Sequence, residues 1–135
     1  MKEAGGEIKV LNALDPQSDS GTLDAGNIID TLGFDSCVFA MLYGATGGSP
    51  TQVDDAVIIE EGDASDLSDA AAVTGATLAV QDPAAGQENE LNMDLRSRKR
   101  YLRLSSTVTF TGGSSPTLLK AATCALAQSN ILPAV

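Results

Sequence analysis

Residues 37–44 read Cys-Val-Phe-Ala-Met-Leu-Tyr-Gly, and this stretch decides the fold class. Successive side chains of an extended chain point to opposite faces, so alternate residues share a face. Both alternating sets are apolar here: one holds Cys37, Phe39, Met41 and Tyr43, and the other holds Val38, Ala40 and Leu42. The stretch therefore predicts a β-strand with two apolar faces. One face belongs to the core, and the other is covered either by a loop of the same chain or by a second subunit.

Strand patterns continue on both sides of this stretch. Alternation of apolar and polar residues predicts further strands over residues 7–14, 27–32, 55–61, 77–81, 88–95 and 100–110. Turn-forming residues separate them, as in the segments 15–21 and 44–50. About eight strands with regularly spaced turns predict an all-β antiparallel sandwich or jelly roll.

Two segments are less regular. Residues 117–128 are rich in Ala and Leu and fit a helix or a strand; Thr123 and Cys124 disfavour a helix, so we expect a strand. The polar segment 62–69 is expected to hold a single helical turn capped by Ser65. A chain of 135 residues fits one domain. We expect that single domain to span 1–135, with residues 1–6 as a flexible N-terminal tail.

The charge and the lack of histidine exclude several kinds of function. Asp and Glu number 18 against 8 Lys and Arg, which gives a formal net charge of -10. A nucleic acid is therefore repelled on average, and we expect no nucleic-acid partner. With 0 His, Ser-His-Asp triads and most zinc sites are excluded. We expect no enzyme activity and no cofactor.

The cysteines and the N-terminal sequence predict a compartment. Cys37 and Cys124 lie far apart in the sequence and outside any CxxC pair. They are predicted to be buried free thiols in a reducing compartment, with a disulfide as the alternative. The first six residues lack the apolar core of a signal peptide, and no apolar run is long enough to span a bilayer. We expect the chain to stay in the cytoplasm where it is made, with no membrane partner.

Seven carboxylates lie between residues 54 and 69, and carboxylates are ligands for calcium. They are Asp54, Asp55, Glu60, Glu61, Asp63, Asp66 and Asp69. Their spacing does not match an EF-hand loop, so we expect a solvated edge and loop and no metal site.

A basic cluster holds five of the eight cations of the chain: Arg96, Arg98, Lys99, Arg100 and Arg103. One interpretation is a docking patch for an acidic protein surface. The other is a strand end paired with carboxylates of the same chain. On an extended chain, alternation places Arg98 and Arg100 on the opposite face from Lys99 and Arg103. Part of the cluster is therefore predicted to lie in a loop or bulge.

Several stretches occur in an order that resembles the capsid decoration (cement) proteins of tailed bacteriophages. They are IKVLNALDP at 8–16, IIDTLGFDS at 28–36, IIEEGDAS at 58–65, VTGA at 73–76, RKRYLR at 98–103 and TVTFTGG at 107–113. The resemblance runs from about residue 8 to residue 126. It implies a jelly-roll domain that forms a dimer or trimer outside the phage head and bridges subunits of the major capsid protein. It also implies assembly in the host cytoplasm, a place in the virion, and no catalysis.

The two apolar faces and the basic cluster supply the candidate site residues, all of them for protein interaction. They are Val38, Phe39 and Met41 at a surface shared between copies, and Arg96, Arg98, Lys99, Arg100 and Arg103 at a docking patch. Two other functions stay open. One is a phage tail or neck structural protein, and the other is a carbohydrate- or calcium-binding β-sandwich module.

Overall fold

A computed structural model describes residues 8–129. This part of the chain forms nine β-strands and no helix. The strands are β1 (Lys9–Asp19), β2 (Leu23–Ala25), β3 (Ile29–Asp30), β4 (Phe34–Gly47), β5 (Gln52–Gly62), β6 (Ala71–Gln81), β7 (Glu88–Asp94), β8 (Tyr101–Thr111) and β9 (Thr117–Ser129). The described part contains no helix long and apolar enough to cross a membrane.

The strands form two antiparallel sheets in nested pairs. The four-stranded sheet has the order β1-β9-β4-β7, and the other has the order β2-β8-β5-β6, with β3 also paired to β8. The first strand thus pairs with the last, β2 with β8, β4 with β7, and β5 with β6. This nesting is the arrangement of a jelly roll. The predicted all-β antiparallel sandwich is confirmed.

The two sheets enclose one core. The buried parity of β4 supplies Cys37, Phe39, Met41 and Tyr43, and the facing sheet supplies large aliphatic side chains such as Ile59, Leu102 and Leu104. With three Phe and no Trp in the chain, aliphatic side chains provide most of the buried area. Full burial of one such side chain contributes about 1.5–3 kcal/mol.

Gly26 explains why two short strands, β2 and β3, pair with the same edge of β8 in place of one long strand. Gly26 lies between β2 and β3. Its N–H donates to the carbonyl of Leu104, and the N–H of Asn27 donates to the carbonyl of Ala13. A Cβ at this position would overlap the carbonyl oxygen of Ala13. Only glycine allows this close approach, and the chain bends here instead of forming one continuous strand.

The last segment, β9, is a strand, as predicted. It lies between β1 and β4 and pairs with both, so its backbone groups are satisfied on two sides. Its even-numbered residues, including Leu118, Ala122 and Leu126, face the core. A helix would lose both rows of hydrogen bonds and the covering of two neighbouring strands.

Several predicted boundaries are wrong. The segment 15–21 was expected to be a turn, yet β1 continues to Asp19 through register shifts opposite β9. The strand at 37–44 extends from Phe34 to Gly47, which takes part of the expected glycine loop. In the segment 62–69, the carboxylate of Asp69 accepts from the N–H groups of Asp63 and Ala64. These bonds hold successive turns in place of the helical turn expected at Ser65. The predicted tail at 1–6 lies outside the described residues.

Candidate functional site

The outer face of the four-stranded sheet is apolar. We call it the apolar face; it consists of Val10 of β1, Val38, Ala40 and Leu42 of β4, and Leu119, Ala121 and Ala125 of β9. Val10 is 67% exposed, Leu119 47% and Leu42 39%. Strand β4 therefore has two apolar faces, as predicted, and no loop of the described chain covers the second one.

The strand register brings these apolar residues together around one polar residue, Thr123, which lies opposite Ala40. Ala125 of β9 pairs with Val10 on one side and with Val38 on the other. Leu42 pairs with Ala121, and Leu119 follows on the same parity. Small side chains on the central strand leave open hollows between the larger ones. Such hollows can accept protruding side chains of a partner.

An acidic strip borders the apolar face along β7, where Asn92, Glu90 and Glu88 pair with Val38, Ala40 and Leu42 in turn. Glu90 lies close enough to Glu88 to raise the pKa of the Glu88 carboxyl. A hydrogen bond from Arg96 lowers the pKa of Asp94, at the end of this strip, to about 2. The border of the face is thus anionic.

The outer face of the other sheet is mixed. It carries Thr107 and Thr109 of β8, Asp54 of β5 and Thr77 of β6, but also Ile58 of β5 and, at its edge, Leu23 of β2, which is 64% exposed. A monomer needs only one apolar face per sheet. On the inner strands β4 and β9 most outward side chains are apolar, whereas on the inner strands β5 and β8 most are polar. This difference makes the four-stranded sheet the candidate contact surface.

The structure corrects the interaction residues predicted on β4. Phe39 and Met41 are 0% exposed at the centre of the sandwich, so a partner cannot reach them. Their parity faces the second sheet, while Val38 faces outward. The prediction is therefore wrong for Phe39 and Met41. For Val38 it stays a prediction, and its outward neighbours Ala40 and Leu42 were missed.

Each cation of the basic cluster has a carboxylate partner in the same chain. The pairs are Arg96 to Asp94 at 2.7 Å, Arg98 to Glu61 at 3.6 Å, Lys99 to Asp63 at 3.6 Å, Arg100 to Asp30 at 2.8 Å, and Arg103 to Glu60 at 2.8 Å. As expected from alternation, residues 96–100 form a loop and only Arg103 lies within a strand. Pairing within the chain accounts for the cluster, and docking through it stays a prediction.

The same pairs include three of the seven carboxylates of the acidic stretch. Asp63 lies on the surface, as predicted, but Glu60 and Glu61 are partly covered by their arginine partners. Asp55 is 1% exposed and lies in the core, so its predicted place on a solvated edge is wrong. In the described residues, no group of three or more His, Cys, Asp and Glu side chains is placed to hold a metal ion.

Both cysteines are buried in the core as free thiols. Cys37 lies on β4 and Cys124 on β9, where Cys124 is in register with Phe39. The neighbouring Cys37 thiol and burial raise the pKa of Cys124. The thiolate, which is the reactive form, is therefore suppressed at this residue.

A buried polar network that the sequence analysis missed joins the two sheets; it consists of Tyr43, Asp55, Ser106, Lys120, Asp19 and Asp24. Tyr43 Oη donates to Asp55 Oδ2 at 2.7 Å, and Ser106 Oγ donates to Asp55 Oδ1 at 2.6 Å. Lys120 Nζ donates to Ser106 Oγ at 2.8 Å and to Asp19 Oδ2 at 2.6 Å. Asp24 Oδ2 lies 3.1 Å from the same Nζ.

The ionisable groups of this network differ in how easily they ionise. Burial opposes ionisation of Asp19, but hydrogen bonds from Lys120 and from the N–H groups of Thr22 and Gly21 outweigh it and lower its pKa to about 2. Burial and the neighbouring Asp19 raise the pKa of Asp24, although Lys120 opposes them. Burial and Asp55 raise the pKa of Tyr43, so its hydroxyl stays a donor. Asp19 and Lys120 thus form the central ion pair.

The sequence contained a signal for this network. Lys120 shares its parity with Leu118 and Ala122, and Asp55 shares its parity with Val53 and Val57. An ionisable residue on the apolar parity of a strand must find a buried partner, because an isolated buried charge is costly. The pattern indicated such partners but not which residues they were.

Comparison with known proteins identifies the fold. No protein-family model matches the chain, and no curated protein matches it. Among solved structures, the PBSX exported protein XepA superposes with a TM-score of 0.59 at 16% identity, over 100% of this chain and 42% of that one. The VP2 subviral particle of infectious bursal disease virus gives 0.54 at 13% identity, over 91% of this chain and 32% of that one. The chain thus spans less than half the length of either protein, and at these identities the likeness shows a shared β-sandwich fold alone.

Proposed function

We propose that this chain is a non-enzymatic virion structural protein that decorates a phage capsid and stabilises the head by bridging capsid subunits. The observation that carries the proposal is the apolar face, a group of Val, Leu and Ala side chains, interrupted by Thr123, that the described chain leaves open on one sheet. The similarity of the fold to VP2 of a virus particle and to an exported protein of PBSX supports a viral setting. The stretches that resemble phage decoration proteins favour the capsid surface.

The apolar face and its border define the chemistry of the partner. Val10, Leu42 and Leu119 are each exposed by more than a third, so covering them gains apolar burial. Glu88 and Glu90 on the bordering strand favour cationic side chains at the rim of the partner's surface. The partner we propose is the major capsid protein, through a surface patch that is apolar at its centre and basic along one side.

Self-association is a second part of the proposal. We expect a dimer or trimer, because a decoration protein that bridges capsid subunits gains avidity from more than one attachment point. A specific contact buries about 1,200 Å² or more in total. Val38, on the apolar face, is the residue we expect at or near the shared surface.

The test is binding of the purified protein to heads that lack it. The variant combines Leu42→Glu with Leu119→Glu, which places two charges on the apolar face. The matched control combines Thr77→Glu with Thr109→Glu on the outer face of the other sheet. We expect the first variant to lose head occupancy by tenfold or more and the control to bind like the wild type, with both folded by circular dichroism.

Three outcomes would contradict the proposal. Equal occupancy of the two variants would show that the apolar face does not dock. Binding of the wild type to tails or necks instead of heads would favour the alternative virion location. Absence of the protein from purified virions would overturn the structural function itself. Sedimentation of the same variants without heads measures self-association separately.

A further inference from the structure

Lys120, Asp19 and Asp24 meet in the core in an arrangement that resembles a small reaction site. The side chains of Lys120 and Asp19 are fully buried, and Nζ of Lys120 lies 2.6 Å from Oδ2 of Asp19. The two residues are 101 positions apart in the sequence. They sit on the neighbouring strands β9 and β1, which are paired along this stretch. An amine and a carboxyl group are therefore held in contact where water is excluded.

The surroundings of Asp19 suit attack at its carboxyl carbon. Oδ1 accepts hydrogen bonds from the N–H of Gly21 at 2.8 Å and from the N–H of Thr22 at 3.0 Å. Two backbone donors aimed at one oxygen are the kind of arrangement that stabilises the oxyanion of a tetrahedral intermediate. The other oxygen, Oδ2, faces the amine. Oδ1 is thus placed to become the oxyanion, and Oδ2 is placed to leave as water.

A second carboxylate stands beside the reacting atoms. Asp24 Oδ2 is buried, has no hydrogen bond, and lies 3.1 Å from Nζ of Lys120. Asp24 comes from β2 in the opposite sheet. A buried carboxylate oxygen in an ion pair at this distance is positioned to accept a proton from the nitrogen and to pass it on. The raised pKa of Asp24 supports this role, because it makes the protonated form easier to reach.

We propose that Lys120 and Asp19 form an intramolecular isopeptide bond, with Asp24 as the proton carrier. The inference is independent of the proposed function, since it rests only on these three side chains and the two N–H groups. Effective concentration inside a folded core replaces an activating cofactor.

The reaction needs no oxidant and no cofactor. One proton first passes from Nζ to Oδ2, which leaves an amine and a neutral carboxylic acid. The amine lone pair forms the bond to Cγ, and Oδ1 becomes the oxyanion held by Gly21 and Thr22. Asp24 accepts a proton from the nitrogen and delivers it to Oδ2. Oδ2 departs as water while the Cγ–Oδ1 double bond re-forms. The ion pair becomes an amide and one water, and Asp24 is regenerated.

The experiment is intact mass spectrometry of the folded, purified chain after incubation near neutral pH, followed by peptide mapping. We expect the wild type to lack the mass of one water and to yield a branched peptide that joins the segments around residues 19 and 120. Lys120→Arg and Asp24→Asn should keep the full mass. Lys99→Arg, at an ion pair of 3.6 Å on the surface, is the matched control and should lose the water like the wild type.

Two results would overturn the proposal. One is a wild type that is folded by circular dichroism and keeps its full mass. The other is a loss of water that mapping assigns to a succinimide or to any other pair of residues. If Lys120→Arg does not fold, the intact mass of Asp24→Asn is still compared with that of the wild type, because this variant leaves Lys120 and Asp19 in place. A folded Asp24→Asn variant that crosslinks at the wild-type rate would remove Asp24 from the reaction.

Discussion

Tyr43 and Asp55 face each other across the sandwich, and the 2.7 Å hydrogen bond from the phenol to the carboxylate joins β4 of one sheet to β5 of the other. Both residues are almost completely buried. The carboxylate has two side-chain donors, Tyr43 and Ser106, one at each oxygen. Polar contacts of this kind fix how two sheets are placed on one another, which apolar contacts alone do only loosely.

The first prediction follows from this contact. Tyr43→Phe keeps the ring but removes one of the two side-chain donors to a buried carboxylate. We expect the free energy of unfolding to fall by about 1–3 kcal/mol. Urea denaturation measures it, with Tyr101→Phe as the control, because the Tyr101 ring lies under Arg100 outside the buried polar network. Equal stabilities of the two variants would contradict the assigned bond.

The second prediction concerns Arg103, which is in register with Glu60 on the adjacent strand and bonds it at 2.8 Å. Arg103→Glu places two carboxylates opposite each other in a partly buried site. We expect a loss of about 1–3 kcal/mol, since like charges directly opposite on a sheet repel and Glu60 loses its donor.

Arg96→Glu is the matched control for Arg103→Glu, because the Arg96–Asp94 pair is well exposed. A surface pair of this kind contributes little, because solvent screens it, so the loss should be smaller than for Arg103→Glu. Adding Glu60→Arg to Arg103→Glu should restore part of the lost stability. Thermal unfolding of the wild type and the three variants measures these losses. Similar losses from the two single reversals would contradict the prediction.

The third prediction is a pH dependence at Asp30. The hydrogen bond from Arg100 lowers the pKa of Asp30 below its ordinary value of 3.8. A carboxyl group whose pKa is lower when folded stabilises the fold above its unfolded pKa, and this contribution is lost as the pH falls through the folded value. Asp30→Asn should therefore cost a little stability at neutral pH, at most about 1 kcal/mol for so exposed a pair.

The difference between wild type and Asp30→Asn should close as the pH drops below 3.8, the unfolded value. Denaturation at a series of pH values provides the measurement. High salt at neutral pH should narrow the same difference, because both side chains are about half exposed. A difference that stays constant with pH would show that the carboxylate charge is not its cause.

The fourth prediction concerns the thiols. Cys37 and Cys124 are buried in the core, so we expect neither to react with a thiol reagent in the native state. Both should react once denaturant unfolds the chain, at a rate that follows global unfolding. Leu119→Cys, at an exposed position of the apolar face, is the positive control. Rapid labelling of the native wild type, or a mass that shows a disulfide, would reject the assignment.

The fold was largely predictable because alternation identifies strands and, where only one parity is apolar, also the parity that faces the core. Phe39, Met41 and Tyr43 face the core as one parity of the stretch 37–44 requires. Which of the two apolar parities of β4 faces the core was not predictable, because both are apolar over the same length. Phe39 and Met41 were therefore expected at a shared surface, although they lie in the core.

The candidate site was less accessible from sequence, because it depends on pairings between distant residues. Arg103 and Glu60, or Lys120 and Asp19, become partners only when strand order and register are known. The apolar face likewise combines three strands from both ends of the described chain. The sequence pattern of each strand shows its own apolar residues, but it does not show which strands lie side by side.

The pairing of the first long strand with the last one also has a consequence for how the chain folds. The partner of Lys9 is Leu126, so β1 has no neighbour within its sheet until nearly the whole chain has been synthesised. Sequence-distant pairing of this kind slows folding and lengthens the time that unpaired edges stay open. During that interval, the apolar segment 37–44 is the part of a nascent chain that most needs protection from other copies.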